Sequence, residues 1–123
     1  MARLAVFNQT RQVLVASDVE RARTVWARMK GLLGRSRDDF SAGKGLWITP
    51  SQGVHTIGMS FPIDVVYLDS GSRVIGAYRR MAPHRIAAVA LRARSVLELP
   101  AGTLERTGTE KGDRLEFKET GDE

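Results

Sequence analysis

The residue types best suited to chemistry are concentrated at positions 53–69, which read GVHTIGMSFPIDVVYLD. His55, Thr56 and Met59 lie in a segment whose glycines, at positions 53 and 58, allow tight turns. Asp64 follows within a strongly apolar run, where a carboxylate is costly to bury unless it is paired or hydrogen-bonded. We therefore expect the loop to fold back over Asp64, so that these four side chains line a candidate pocket.

This segment supports two interpretations of Asp64. In the first, Asp64 anchors the loop by accepting backbone N–H bonds, and the pocket belongs to a binding module for an unknown small ligand or protein partner. In the second, the protein is an enzyme in which His55 acts as general acid or base and Asp64 orients it. The second interpretation needs the two side chains within hydrogen-bond reach of each other.

Two further residues are secondary candidates, namely His84 and Glu98. Imidazole and carboxylate groups suit zinc or iron, but no paired histidine motif places these residues at ligand spacing. Neither a phosphate loop, a dinucleotide-binding glycine motif nor a nucleophile elbow occurs in the sequence. We therefore predict neither a metal site nor a cofactor.

A block of arginines gives the chain its third candidate function. Residues 70–97 contain six arginines and no acidic residue, whereas residues 98–123 carry eight acidic residues against four basic ones. Such a block attracts anions, including nucleic acid, although it contains a single aromatic residue and no nucleic-acid-binding motif. A solvated arginine-rich face is the favoured interpretation. The arginines of the block are Arg73, Arg79, Arg80, Arg85, Arg92 and Arg94.

The order of short motifs along the chain closely resembles that of the domain-of-unknown-function 192 family. The matching motifs are GLLGR at 31–35, GL at 45–46, HT at 55–56, GM at 58–59, FPIDVVYLD at 61–69, Pro83, VLELPAG at 96–102 and GD at 112–113. Together they cover nearly the whole chain. The resemblance implies a compact, mostly β domain with one helix and supplies no activity. Many members carry Trp at the position of His55, which argues against a catalytic histidine across the family.

One amphipathic helix is predicted near the N-terminus. Ser17 and Glu20 form a capping-box pattern, and Gly34 is well placed to end the helix. Apolar residues recur between them at three- and four-residue intervals, which is typical of a helix lying on a sheet and burying Trp26. The apolar stripe consists of Ala22, Val25, Trp26, Met29, Leu32 and Leu33.

Most of the remaining chain is predicted to form strands. A hairpin is expected from residues 4–7 and 13–15, followed by strands at 46–49, Ile63–Leu68, 73–81 and 95–99 and a last one around Leu115 and Phe117. Both faces of Ile63–Leu68 are largely apolar, as in a strand covered on both sides. Helical turns are predicted at 38–40 and 103–107, and residues 86–91 are left unassigned.

Length and composition indicate a single soluble domain. The chain has 123 residues, is 42% hydrophobic and contains no cysteine. No apolar run is long enough to span a membrane, and no signal peptide is recognised, so we expect a cytoplasmic protein. The predicted fold is mainly β, sandwich-like or barrel-like, with the N-terminal amphipathic helix. The core is expected at residues 3–118, and the acidic tail 119–123 is expected to fray.

Overall fold

The computed structural model describes residues 2–22, 36–51, 61–82 and 92–122. Seven strands and two short helices lie within these ranges. In chain order they are β1 (Ala2–Asn8), β2 (Val13–Ala22), a 3-10 helix (Arg37–Phe40), β3 (Lys44–Ile48), β4 (Ile63–Leu68), β5 (Val74–Met81), β6 (Ser95–Pro100), α1 (Thr103–Thr107) and β7 (Leu115–Asp122). The protein is therefore mainly β in the described part of the chain.

The strands form one mixed, open sheet in the order β5-β4-β6-β3-β2-β1-β7. All neighbouring pairs are antiparallel except β2 and β3. The edges of the sheet meet at one end, where Arg73 forms an isolated bridge with Arg114. Two flanking bonds support this bridge: Val74 N–H donates to the Asp113 carbonyl at 2.8 Å, and Leu115 N–H donates to the Ser72 carbonyl at 2.9 Å.

The strand β4 separates two hydrophobic clusters, and all six of its residues are buried. Ile63, Val65 and Tyr67 belong to one cluster with the aromatic rings of Phe40 and Phe61. Val66 and Leu68, which point to the opposite face, belong to the other, which we call the concave cluster. Its members are Leu4, Val6, Val15, Ala16, Val19, Val66, Leu68, Val74, Leu97, Leu99, Leu104 and Leu115. The prediction that Ile63–Leu68 is covered on both faces is confirmed.

The sheet curves strongly around the concave cluster. Trp47 on β3 and Phe117 on β7 stack with ring centroids 4.0 Å apart, although β2 and β1 lie between these strands in the sheet. Strands are about 4.8 Å apart in a flat sheet, so rings three strands apart touch only across a concave surface. Leu104 of α1 packs into the same cluster.

The prediction of a helix beginning at Ser17 is wrong. Residues 17–22 continue β2, and the N–H groups of Ser17 and Asp18 both donate to the Gly43 carbonyl at 2.9 Å. The capping-box pattern is local, whereas pairing with β1 on one side and β3 on the other satisfies the whole backbone of the segment. The α-helix in the described ranges is α1, near the C-terminus. The rest of the predicted helix, including Trp26, lies outside the described residues.

The predicted sandwich-like or barrel-like architecture also needs correction. A sandwich requires two sheets and a barrel requires a closed one, but hydrogen bonds join all seven strands into a single open sheet. In the charged C-terminal segment, β7 pairs with β1 as far as the pair Asp122 and Ala2. Backbone pairing offsets the low β-propensity of this charged sequence. The predicted hairpin, the remaining strands and both helical turns are confirmed.

Candidate functional site

Asp64 is buried at the start of β4, with none of its surface exposed. Its two carboxylate oxygens accept different backbone donors. Oδ1 accepts from Arg80 N–H at 2.8 Å, and Oδ2 accepts from Leu104 N–H at 2.8 Å. Asp64 therefore joins three elements, β4, β5 and α1.

The bond to Arg80 stabilises an irregularity in β5. Ile63 pairs with Met81 and Val65 pairs with Tyr78, so one extra residue is accommodated on β5. This is a β-bulge, and Arg80 within it has a φ of 50°, which is uncommon for a residue other than glycine. A carboxylate oxygen aimed at the Arg80 N–H offsets part of the cost of that conformation.

The bond to Leu104 replaces a missing helix cap. Gly102 precedes α1 and offers no side-chain acceptor to the N–H groups of the first turn. Leu104 is the second helical residue, whose N–H is one that an N-cap side chain ordinarily satisfies. Asp64, 40 residues earlier in the chain, takes that role. The geometry therefore has the form expected for an anchor, with donors in β5 and α1.

The predicted donors of this anchor, in the loop with His55, Thr56 and Met59, lie outside the described residues. His84 and Arg85 lie outside them as well. Both oxygens of Asp64 already accept backbone N–H groups within the described part of the chain. The acid–base interpretation depends on His55, which lies outside the described residues.

Glu98, a secondary candidate from the sequence, is also buried, with 2% of its surface exposed. It lies on β6 opposite Leu46 of β3 and Val65 of β4, which places it on the face of the Phe40 and Phe61 cluster. Asp64 and Glu98 therefore occupy opposite faces of the sheet. In the described ranges, no three histidine or acidic side chains are grouped closely enough to hold a metal ion.

A cleft of about 560 Å³ opens where β4 begins, and we call it the β4 cleft. Phe40 and Phe61 line it, with ring centroids 6.1 Å apart, and both are almost fully buried. The guanidinium-bearing residues Arg37 and Arg80 also line it. The full lining is Arg37, Asp38, Phe40, Ser41, Ala42, Phe61, Pro62, Arg80, Pro100 and Ala101.

Hydrogen bonds fix the backbone at both arginines of the β4 cleft. The 3-10 helix that carries Arg37 has a complete capping box, in which the side chains of Ser36 and Asp39 bond to each other's backbone N–H. Arg80 is fixed by Asp64, while its side chain reaches Glu105 at 3.2 Å. That ion pair is exposed on both sides and therefore weak. The Arg80 guanidinium is accordingly available to a ligand at little cost.

A second cleft, of about 320 Å³, lies beside β2 and β3. Its charged residues pair with one another: Arg3 contacts Asp18 at 3.3 Å, and Lys44 contacts the other oxygen of Asp18 at 3.1 Å. A charged ligand would have to compete with these pairs. The β4 cleft is therefore the stronger candidate.

The arginine block divides into two groups. Arg79 and Arg80 lie in the bulge of β5, about 20 Å along the strand from Arg73 at a rise of about 3.3 Å per residue. Arg73 donates to the Gly112 carbonyl at 2.8 Å, and the Arg94 backbone N–H donates to the Leu68 carbonyl at 2.8 Å, near the far end of β4. Arg92 is exposed beside Arg94. The described arginines therefore do not form one continuous stripe.

A buried network around Asp113 was missed at the level of sequence. Oδ2 of Asp113 accepts from Asn8 Nδ2 at 2.9 Å, from Arg11 Nε at 2.6 Å and from the Glu110 N–H at 3.1 Å. Burial opposes ionisation, but these hydrogen bonds outweigh it and hold the pKa of Asp113 below its ordinary value. Asn8 and Asp113 are 105 residues apart, so no local pattern could have joined them.

Arg37 and Phe40 were also absent from the predicted site. The available signal was the Ser36 to Asp39 capping pattern, which fixes the short helix that carries them.

None of the helices in the described ranges is long and apolar enough to cross a membrane.

Two solved structures share this fold. A protein from Sinorhizobium meliloti 1021, provisionally named a transcription regulator, aligns with a TM-score of 0.77 and 25% identity over 94% of this chain and 92% of that chain. A protein of unknown function from Novosphingobium aromaticivorans DSM 12444 aligns with a TM-score of 0.74 and 22% identity over 93% of this chain and 83% of that chain. The second likeness bears on the fold alone.

No curated protein matches the chain. The sequence model of DUF192, described as "Uncharacterized ACR", matches residues 6–117. That match includes the strand with Asp64, the bulge with Arg80 and the helix with Leu104. The chain belongs to the DUF192 family.

Proposed function

We propose that this protein is a small binding module whose β4 cleft takes a planar, partly apolar ligand with an anionic group. The observation that carries the proposal is the combination, in one cleft of about 560 Å³, of two aromatic side chains with two arginines. Cavities of about 300–1,000 Å³ with an apolar lining and a few placed polar groups are typical of small-molecule sites.

Each part of the cleft has a separate contribution. Pro62, Pro100 and Ala101 offer partly exposed apolar surface to a planar ring, and the almost fully buried rings of Phe40 and Phe61 pack beside them in the lining. Arg37 and Arg80 offer planar guanidinium groups that match a carboxylate or phosphate with paired hydrogen bonds. Asp38 also lines the cleft and would discriminate against ligands with a second negative charge on its side.

The anchoring of Asp64 supports this proposal because it keeps the cleft in shape. Arg80 would otherwise lose the bond that holds its backbone in the bulge, and Pro100 and Ala101 precede the helix that Asp64 caps. Binding to a preformed cleft costs less ordering of side chains than binding to a mobile one. The enzymatic alternative rests on His55, which lies outside the described residues.

Nucleic-acid binding, which the provisional name of the S. meliloti protein suggests, receives less support from this chain. Non-specific nucleic-acid binding depends on several cations that follow a phosphate backbone. Here the described arginines divide into two groups, one in the bulge of β5 and one near the far end of β4. A small anion needs one such group, whereas a nucleic acid needs both.

The test is a titration of isotopically labelled protein with sodium benzoate, followed by backbone amide NMR. We expect saturable shifts at residues of the β4 cleft, and weaker ones with the neutral analogue benzamide. Arg80→Gln should weaken benzoate binding about tenfold, because a charge-assisted hydrogen bond of about 1.5 kcal/mol is lost. The Asp64 bond is to the Arg80 backbone and survives the substitution.

Arg92→Gln is the matched control, since Arg92 is exposed and does not line the cleft. It removes the same charge and should leave benzoate affinity unchanged. Equal weakening by Arg80→Gln and Arg92→Gln would mean that benzoate follows net charge alone, which contradicts the proposal. Benzoate shifts confined to residues outside the cleft would contradict it as well.

A further inference from the structure

Arg21, Trp47 and Phe117 form a three-layer stack on the concave side of the sheet, and we call it the Arg21 stack. Trp47 lies against Phe117 with centroids 4.0 Å apart and an interplanar angle of 23°. The guanidinium carbon of Arg21 lies 4.7 Å from the centroid of the Trp47 ring. Arg21 and Trp47 are paired neighbours on β2 and β3, so backbone pairing holds the two side chains together.

The stack contains two hydrogen-bond donors without an acceptor. Nε of Arg21 and Nε1 of Trp47 are both buried, and neither bonds to any oxygen in the described part of the chain. A buried donor that gives up its water without gaining a partner is unfavourable. One such group is an ordinary imperfection, whereas two on side chains in contact point to a shared cause.

The charge of Arg21 is also uncompensated among the described residues. The ion pairs of the described chain involve Arg3, Arg11, Lys44 and Arg80, and Arg21 takes part in none of them. Its cation–π contact with Trp47 stabilises the cation but supplies no acceptor oxygen. A partly buried guanidinium ordinarily has a carboxylate or phosphate beside it.

We propose that the Arg21 stack is a second binding site, for a small carboxylate. A planar carboxylate has two acceptor oxygens and one negative charge, which match the unmet donors and the unmet charge of this cluster. Side-on approach to a guanidinium places one oxygen on Nε, and the indole N–H is a donor for the other. Nε of Arg21 and Nε1 of Trp47 have almost no exposed surface themselves, but both residues are only partly buried, so a carboxylate would reach these donors after a small movement of the surrounding side-chain atoms.

This site is independent of the β4 cleft. Trp47 packs against the concave cluster, whereas Phe40 and Phe61 of the β4 cleft belong to the cluster on the other face of the sheet. None of the three residues of the stack lines the β4 cleft. The two proposed sites therefore share no residue and can be tested by separate substitutions.

The test follows the indole N–H resonance of Trp47 during a titration with sodium formate, with sodium chloride at equal ionic strength as the salt control. The chain has a second tryptophan, Trp26, and the variant Trp47→Phe assigns the two signals. We expect formate to move the Trp47 signal saturably and chloride to leave it in place. Arg21→Gln should abolish the saturable shift, and Arg21→Lys should weaken it at least tenfold, because lysine keeps the charge but lacks Nε and the planar fork.

Arg79→Gln is the matched control, since it removes an exposed arginine of β5 and should leave the formate response intact. An unmoved Trp47 signal in folded wild-type protein would overturn the proposal and assign the donors to water. A response that Arg21→Gln leaves unchanged would overturn it too. If Arg21→Gln does not fold, the Nε–H signal of Arg21 in wild-type protein decides, since formate must shift it together with the indole signal.

Discussion

Asp64 and Asp113 are both buried carboxylates, but their donors are arranged in opposite ways. Asp64 gives one oxygen to each of two backbone N–H groups, on β5 and α1. A single oxygen of Asp113 accepts three hydrogen bonds, and two of the donors are the side chains of Asn8 and Arg11. The first arrangement positions the β4 cleft, and the second joins the turn after β1 to the loop before β7.

The comparison shows that burial alone does not determine how a carboxylate tolerates substitution. An amide that replaces Asp64 has one acceptor for two donors, and its NH₂ group must face a backbone N–H. An amide that replaces Asp113 still has a carbonyl oxygen for all three donors. The two sites therefore differ in whether the charge or the second oxygen is essential.

The largest effect is expected for Asp64→Asn. The variant leaves either the Arg80 N–H or the Leu104 N–H without an acceptor, and it should lose about 2–3 kcal/mol of the free energy of unfolding. Urea unfolding followed by circular dichroism measures this loss. A change within experimental error would show that the bulge and the helix N-terminus do not depend on Asp64.

Asp69→Asn is the matched control for that substitution. Oδ1 of Asp69 accepts two backbone N–H groups, from Gly71 at 2.9 Å and Arg73 at 3.0 Å, but in a surface turn. One carbonyl oxygen can hold both, so the loss should stay below about 0.5 kcal/mol, as for ordinary surface substitutions. Comparable losses of unfolding free energy in Asp64→Asn and Asp69→Asn would show that it does not matter whether the donors share one oxygen or use two.

A smaller effect is expected for Asp113→Asn, about 1 kcal/mol at neutral pH, because the acceptor survives and only the charge is lost. The pKa of Asp113 is lowered in the folded protein, so its contribution to stability is present above the ordinary value of 3.8 and is lost as the pH falls through the folded pKa. Wild type and variant should therefore differ in neutral solution and converge in acid. Urea unfolding across this pH range measures the difference in free energy of unfolding between wild type and variant. A difference that does not change with pH would exclude Asp113 as the titrating group.

The smallest effect on stability is expected for Arg11→Gln, because the Arg11 side chain is partly exposed and its pair with Glu110 is at the surface. Its expected signature is instead a rise in the pKa of Asp113, since the guanidinium bond at 2.6 Å favours the ionised carboxylate. Titration of the Asp113 carboxyl carbon by NMR measures the pKa. Arg114→Gln, an exposed neighbour in the same loop, should leave it unchanged. An unaltered pKa in Arg11→Gln would assign the lowering to Asn8 and the Glu110 N–H alone.

The sequence was sufficient to identify Asp64 but not its donors. A carboxylate among Ile63, Val65 and Val66 violates the apolar pattern of a buried strand, and that local violation is visible without a structure. The donors lie 16 and 40 residues further on, and the bulge and helix cap that present them arise from tertiary packing. Asp113 stands out in the sequence only as part of the GD motif at 112–113, and nothing local distinguishes a buried aspartate there from an exposed one.

The incorrect helix at Ser17 has a related physical cause. The pattern of Ser17 and Glu20 describes the local options of the backbone, and these favour a helix start. The parallel partner of the segment, β3, begins 26 residues after Asp18, where Lys44 pairs with it. Pairing at that distance overrides local preference, whereas the short helix predicted at 103–107 is found at Thr103–Thr107.

Because β1 pairs with β7, the sheet cannot be completed until β7 is present. Asn8 contacts residues that follow it by about a hundred positions, so one edge of the first hairpin has no partner until the last strand has been synthesised. Contacts this distant in sequence slow folding, since a long loop must close before they form. During translation the open edge of β1 is a surface to which other extended chains can add, and the arrival of β7 removes it. Early release of the chain from the ribosome would therefore yield an aggregation-prone species, although six of the seven strands would be present.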